Sequence, residues 1–129
     1  MSKSDRKLAL VEQEQKDIPK IASKTPGWKL QPDVIKHIEV VFTTQTALCE
    51  YLRTNPKTWR DLTSGAGTRE STARDVAINF AVFLSRAAEG KEPRNPSAFR
   101  YEFVERLKDR YASYLDSFDF TPMLISAEG

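Results

Sequence analysis

The chain has 129 residues, a formal net charge of +2, 40% hydrophobic residues and 29% charged residues, which is typical of one soluble globular domain. Its longest apolar run, residues 76–84, is interrupted only by Asn79 and is far shorter than the ~20 residues of a membrane-spanning helix. The N-terminus shows no secretory signal, and the single cysteine, Cys49, excludes an internal disulfide, so we expect a cytoplasmic protein.

Residues 1–32 are predicted to form an N-terminal arm and connector. The first 17 residues have the weakly amphipathic pattern of a charged helix, and the connector contains Pro19, Pro26 and Pro32, which interrupt regular structure. We therefore expect an extended or helical arm that precedes the main body of the protein.

Helical periodicity dominates residues 33–118, which are predicted to form an all-α bundle of about four helices. Apolar residues recur at helical spacing over 33–53, which indicates one long amphipathic helix. Asn55 and Asn95 each precede a proline, a pattern that starts helices, so we expect a short helix over 56–64 and a long helix over 96–118.

A fourth helix is predicted over 69–89, with Thr68 as its N-cap and Gly90 just past its end. Its apolar residues lie almost all the way round the middle, which is typical of a central helix. Phe80 and Leu84 face the core, whereas Ile78 and Val82 lie on the far side and are predicted to form a subunit interface. Residues 119–129 show no β pattern and are predicted to be a loose or partner-bound tail.

Few residues offer catalytic chemistry. His37 is the only histidine, and its place on the flank of an amphipathic helix favours a structural role over that of a general base. Cys49 falls on the apolar face of the same helix and is predicted to be a core residue. Because one histidine and one cysteine supply no zinc-ligand set, we expect no enzyme activity, no metal and no cofactor.

Basic residues with aromatic neighbours surround the two Asn–Pro helix starts, and two more arginines begin the helix over 69–89. Gathered on one face, such residues would bind a nucleic-acid backbone without reading its sequence; the alternative is that they are ordinary solvated charges. The predicted nucleic-acid-binding residues are Arg53, Lys57, Arg60, Arg69, Arg74, Arg86, Lys91, Arg94 and Arg100.

Residues 76–111 combine an apolar helix, a basic loop with Arg94-Asn95-Pro96, and a helix with the pattern Phe-x-x-x-Phe-Val-x-x-Leu. This stretch resembles the small helical subunit of CRISPR effector complexes, and more narrowly the C-terminal helical part of the large subunit of type I-D systems. The resemblance implies a non-catalytic subunit of a ribonucleoprotein complex in antiviral defence. Copies of such a subunit stack, contact neighbouring subunits and line a path for RNA or DNA.

Two other functions remain open at this point. Residues 62–76 resemble a helix-turn-helix, with a turn at Gly67 and a polar helix start that contains Arg69 and Arg74, which predicts a DNA-binding transcriptional regulator. The third hypothesis is a helical adaptor that binds only protein.

Overall fold

The computed structural model describes residues 27–127, which form five α-helices and a two-stranded antiparallel sheet. The helices are α1 (Pro32–Val41), α2 (Gln45–Leu52), α3 (Pro56–Thr63), α4 (Glu70–Ala88) and α5 (Tyr101–Ser117). The strands are β1 (Trp28–Leu30) and β2 (Leu124–Ser126), and a 3-10 helix over Thr121–Met123 leads into β2. The predicted helical class is confirmed, while the helix predicted over 1–17 lies outside the described residues.

The central helix is α4, as its apolar pattern predicts. It packs along α5 and also against α2 and both strands. The two long helices run in opposite directions, since the ring of Phe80 meets that of Tyr111 and the ring of Phe83 meets that of Phe99, with both pairs of centroids 5.0 Å apart. The middle of α4 is therefore enclosed on most sides by the same chain.

The prediction of a single helix over 33–53 is wrong, because the structure contains two helices there. Phe42 leaves helical geometry after α1 and pairs with Phe99 in an isolated bridge. Thr43 fixes the break, since its hydroxyl donates to the Ser97 carbonyl at 2.6 Å. Thr44 then caps α2 by accepting the Ala47 N–H at 3.1 Å. Partners 54 residues away set this break, so local periodicity does not reveal it.

Asn55 caps α3 as predicted, accepting the Thr58 N–H at 2.8 Å. The prediction that Asn95 and Pro96 start the long helix is wrong. The carbonyl of Asn95 accepts the N–H groups of Ala98 and Phe99 in one turn that does not continue into the long helix. The N–H of Arg100 instead donates to the Val41 carbonyl at 2.7 Å, which holds the chain extended before α5 begins.

The ends of α4 agree only in part with the prediction. Gly90 follows the helix with φ of +78°, a conformation that glycine adopts without steric cost. Thr68, however, does not cap the helix; Arg69 holds the N-cap position without a side-chain cap. Thr68 exchanges both backbone hydrogen bonds with Trp28 instead, at 2.8 and 2.9 Å.

The predicted tail is part of the folded body. Leu124, Met123 and Phe120 are buried in the core, and β2 pairs with β1 in the register Trp28↔Ser126 and Leu30↔Leu124. Each strand is only three residues long, which is too short to show an alternating pattern. The bundle predicted over 33–118 is thus completed by residues on both sides of it.

Candidate nucleic-acid interface

Five of the nine predicted basic residues lie at or near the two ends of α4. Arg69 and Arg74 lie at its start, whereas Arg86, Lys91 and Arg94 lie at or beyond its last turn. The 19 residues of α4 span about 28 Å at 1.5 Å per residue. The fold therefore separates these basic residues into groups, and the nine do not form one continuous patch.

Within residues 27–127, four of the nine side chains already pair with carboxylates. The pairs are Lys57 with Asp61 at 3.1 Å, Arg86 with Glu92 at 3.0 Å, Lys91 with Glu89 at 3.2 Å, and Arg74 with Glu70. Exposed ion pairs of this kind contribute little to stability, but each one offsets a positive charge that would otherwise attract phosphate.

Arg94 has a different partner, because its guanidinium lies over the ring of Tyr101 with the Cζ atom 3.8 Å from the ring centroid. This is the distance of a close cation–π stack. Hydrogen bonds from Lys108 and from Tyr101 lower the pKa of the Glu105 carboxyl, and Lys108 Nζ is 2.9 Å from Glu105. The Glu105 carboxylate therefore lies near both Tyr101 and Lys108 on the same face of α5.

Arg100 connects the start of α5 to the end of α1. Its Nη1 donates to the Val40 carbonyl at 2.8 Å and lies 3.4 Å from the Phe42 carbonyl. Carbonyls at a helix C-terminus have no partner within the helix, so this guanidinium caps α1. Within residues 27–127, its Nε and Nη2 groups make no hydrogen bond.

Arg94 and Arg100 share an open cavity of about 300 Å³. Its wall combines two guanidinium groups, aromatic surface and one carboxylate: Arg94, Asn95, Pro96, Phe99, Arg100, Tyr101 and Glu102. Among the cavities that the described residues form, this one combines free guanidinium donors with an exposed stacking surface. We call it the Arg94 cavity.

The remaining predicted residues lie elsewhere. Arg53 ends α2 in a left-handed conformation with φ of +58°, and Arg69 is exposed at the N-cap of α4. Arg60 lines a more polar cavity of about 320 Å³ between α3 and the α1–α2 junction, together with Glu39. None of these three arginines forms an ion pair among the residues that the structure describes.

The residues around Arg94 on α5 were not predicted as part of the site. Tyr101, Glu105 and Lys108 are spaced at i, i+4 and i+7, a spacing that places side chains on one helix face. That spacing could have indicated a polar cluster on one helix face. Its place beside Arg94 depends on the helix start at Tyr101, which the sequence did not predict.

The two residues predicted to lack catalytic roles are packed into the fold. His37 is half-buried, and its Nδ1 lies 2.7 Å from the Tyr111 hydroxyl. Burial lowers the pKa of His37, and nearby Arg110 lowers it further. Cys49 is buried in the core as predicted, and burial raises the pKa of its thiol. Residues 27–127 contain no cluster of three residues able to ligate a metal.

The predicted interface residues differ in exposure. The side chain of Val82 is 37% exposed on α4, whereas Ile78 is half-buried and packs against the core. Phe118, at the end of α5, is the most exposed large apolar residue of the described chain, at 77%. Its phenyl ring packs edge-on against Phe120, with centroids 5.6 Å apart.

The order helix, turn, helix is present in α3 and α4, with Gly67 in the turn at φ of +95°. Strand β1 lies directly against this turn. Trp28 pairs with Thr68, and a Cβ atom added to Gly67 would lie 2.8 Å from the carbonyl carbon of Gly27. One side of the turn therefore packs against the segment that begins β1.

No helix within residues 27–127 has the length and apolar character needed to cross a membrane. Comparisons with protein-family models, with curated proteins and with solved structures find no match to this chain.

Proposed function

We propose that this chain is a non-catalytic helical subunit of a nucleoprotein complex and that it binds a nucleic-acid backbone at the Arg94 cavity. The observation that supports this most directly is the convergence of Arg94 and Arg100 on one open cavity beside Tyr101. Guanidinium groups bind phosphate oxygens through two parallel hydrogen bonds. Within residues 27–127 neither of these two arginines forms a direct ion pair with a carboxylate, although Arg94 is near enough to Glu105 to help lower the pKa of that carboxyl.

The surrounding charges limit the strength of this binding. Glu89 and Glu92 offset Lys91 and Arg86, so Arg94 and Arg100 supply most of the attraction. Two phosphate contacts on a single strand correspond to a slope of about −1.4 in a plot of log affinity against log salt concentration. Such a module binds weakly alone and gains affinity when several copies or subunits act together.

Assembly with other subunits is the second part of the proposal. The resemblance of residues 76–111 to the small subunit of CRISPR effector complexes supports it, as does the exposure of Val82 on the outer side of α4. Strand β1 lies against the α3–α4 turn, but Arg69 and Ser71 at the start of α4 are exposed. A helix-turn-helix regulator is therefore the alternative that the duplex probe below tests.

The test is fluorescence anisotropy with labelled single-stranded and duplex oligonucleotides over a range of salt concentrations. We expect Arg94→Gln to weaken binding several-fold and to reduce the salt slope by about 0.7. Arg69→Gln is the matched control, since it removes the same charge at the opposite end of α4 and should leave affinity unchanged.

Three outcomes would contradict the proposal. Absence of salt-dependent binding to every oligonucleotide would leave the protein-binding adaptor. Equal losses from the two substitutions would show that the Arg94 cavity is not the site. Selective loss of duplex binding in Arg69→Gln would favour the helix-turn-helix regulator.

A further inference from the structure

We infer that the Arg94–Tyr101 stack is a platform for one unpaired base, so that the Arg94 cavity receives a single nucleotide of an unpaired strand. This inference rests on the proposed function and adds the chemical unit that the site recognises. It predicts a contact with the base itself, which phosphate binding alone does not require.

Tyr101 contacts the Arg94 guanidinium on one side, and the residue is otherwise open to a ligand. The Cζ atom of Arg94 lies 3.8 Å from the ring centroid of Tyr101, and Arg94 is an exposed residue. Guanidinium planes and aromatic rings are the surfaces on which proteins stack splayed-out bases. A base that stacks on the outer face would continue the column that Tyr101 and Arg94 begin.

The platform is held in place before any ligand arrives. Arg94 lies between Pro93 and Pro96, whose rings fix the backbone φ angle at two of four consecutive positions. Tyr101 belongs to the first turn of α5, so the helix backbone fixes the position of its ring. Because these groups are already ordered, less conformational entropy is lost when a base binds.

A phosphate attached to that base has donors within the same cavity. Arg100 lines the cavity and retains Nε and Nη2, while its Nη1 caps α1. The 17-residue helix α5 begins at this cavity. The N–H of Phe103 donates to the Arg100 carbonyl at 3.0 Å, whereas those of Tyr101 and Glu102 lie too early in the helix to have a helical partner. Glu102 lines the same wall and opposes further negative charge, which favours one phosphate over several.

A duplex cannot make this contact without disruption, since the faces of its bases are covered by neighbouring base pairs. Unstacking and unpairing one base requires a few kcal/mol, whereas a single strand offers its bases freely. The site is therefore expected to prefer a single strand and to tolerate different bases, because every base has a stacking face.

The experiment compares three short labelled probes of equal length: an intact single strand, a single strand in which every nucleotide is abasic, and a duplex. The abasic strand keeps all phosphates and lacks every base. We expect the intact strand to bind the wild-type protein at least about fivefold more tightly than the abasic strand, the effect of stacking one base.

Two substitutions assign this difference to the stack. Arg94→Lys keeps the positive charge but lacks the planar group, so it should remove most of the preference for the intact strand and retain the salt slope. Tyr101→Leu removes the ring beneath the guanidinium and should act in the same direction. Circular dichroism of both variants verifies that the helices are retained.

The possible results separate the inference from the proposed function. If the intact and abasic strands bind within twofold of each other with a normal salt slope, phosphate binding stands and the stacking inference is overturned. If Arg94→Lys keeps the full preference, stacking occurs elsewhere and the inference is again overturned. If no probe binds even at low salt, the proposed function itself fails.

Discussion

The side-chain amide of Asn79 donates a hydrogen bond to the backbone carbonyl of Leu52 at 2.9 Å. Leu52 is the last residue of α2, and its helical partner would be the N–H of residue 56. That residue is Pro56, which has no N–H to donate. The single polar residue in the apolar run of α4 therefore satisfies a carbonyl that the sequence of the next helix leaves without a partner.

This relationship predicts the effect of replacing Asn79. Asn79→Ala should reduce the free energy of unfolding by about 1–2 kcal/mol, because the carbonyl of Leu52 loses its donor in a partly buried place. Asn79→Asp should reduce it further, since a carboxylate would then face a carbonyl. Urea denaturation of the three proteins checks the order, and an unchanged midpoint for both variants would contradict it.

The stability of the protein should depend on pH through His37, the only histidine in the chain. Its pKa in the folded state lies below the ordinary value of 6.5, so the unfolded chain binds the proton more readily. Neutral His37 therefore contributes stability that is fully present above pH 6.5 and is lost as the pH falls from 6.5 through the lowered folded pKa.

Urea denaturation at about pH 7.5 and about pH 5.5 tests this. His37→Gln should remove most of the loss of stability between these two pH values, because no other side chain of the chain ordinarily titrates in that range. Tyr111→Phe should still lose stability at low pH, since burial is the main cause of the lowered pKa of His37. An equal pH response in the wild-type protein and His37→Gln would contradict the assignment.

Two glycines with positive φ should respond differently to alanine. Gly67→Ala adds a Cβ atom 2.8 Å from both Gly27 C and Trp28 N and also strains the backbone, so we expect a loss of roughly 2–4 kcal/mol. Gly90→Ala meets nothing within 4 Å and should lose about 1 kcal/mol from backbone strain alone. Thermal denaturation measures both, and similar losses would show that β1 does not press on Gly67.

Phe118 ends α5 in the left-handed conformation, with φ of +53°, which is unfavourable for a residue with a Cβ atom. Phe118→Gly should relieve this strain and raise the free energy of unfolding by about 1 kcal/mol. Phe118→Ala keeps the strain and loses the ring contact with Phe120, so it should be less stable than the wild-type protein. A destabilised Phe118→Gly would show that the ring contact outweighs the backbone strain.

The parts of the fold that follow from local chemistry could be predicted from the sequence. Asn55 and Pro56 determine the start of α3, Gly90 marks the end of α4, and the apolar character of α4 identifies the central helix. Cys49 could be placed in the core for the same reason, since its position on the apolar face depends only on helical spacing.

The remaining features depend on contacts between distant residues. Thr43 bonds to Ser97 across 54 residues, and this bond, with the Phe42–Phe99 bridge, breaks the helix that periodicity predicts. Ser97 and Phe99, which follow Asn95, make these contacts. The segment after Asn95 therefore forms a single turn and not the start of the long helix. The candidate site depends on this shift, because Tyr101 lies beside Arg94 only when α5 starts after the turn.

The pairing of β1 with β2 has a consequence for work with this protein. The Ala127 N–H donates to the Gly27 carbonyl at 2.8 Å, so both ends of the described chain leave the body at one point. That point lies near the first turn of α4, about one helix length from the Arg94 cavity. A linker of only a few residues between residues 127 and 27 would therefore be enough for a circular permutation of residues 27–127, and it would lie away from the proposed site.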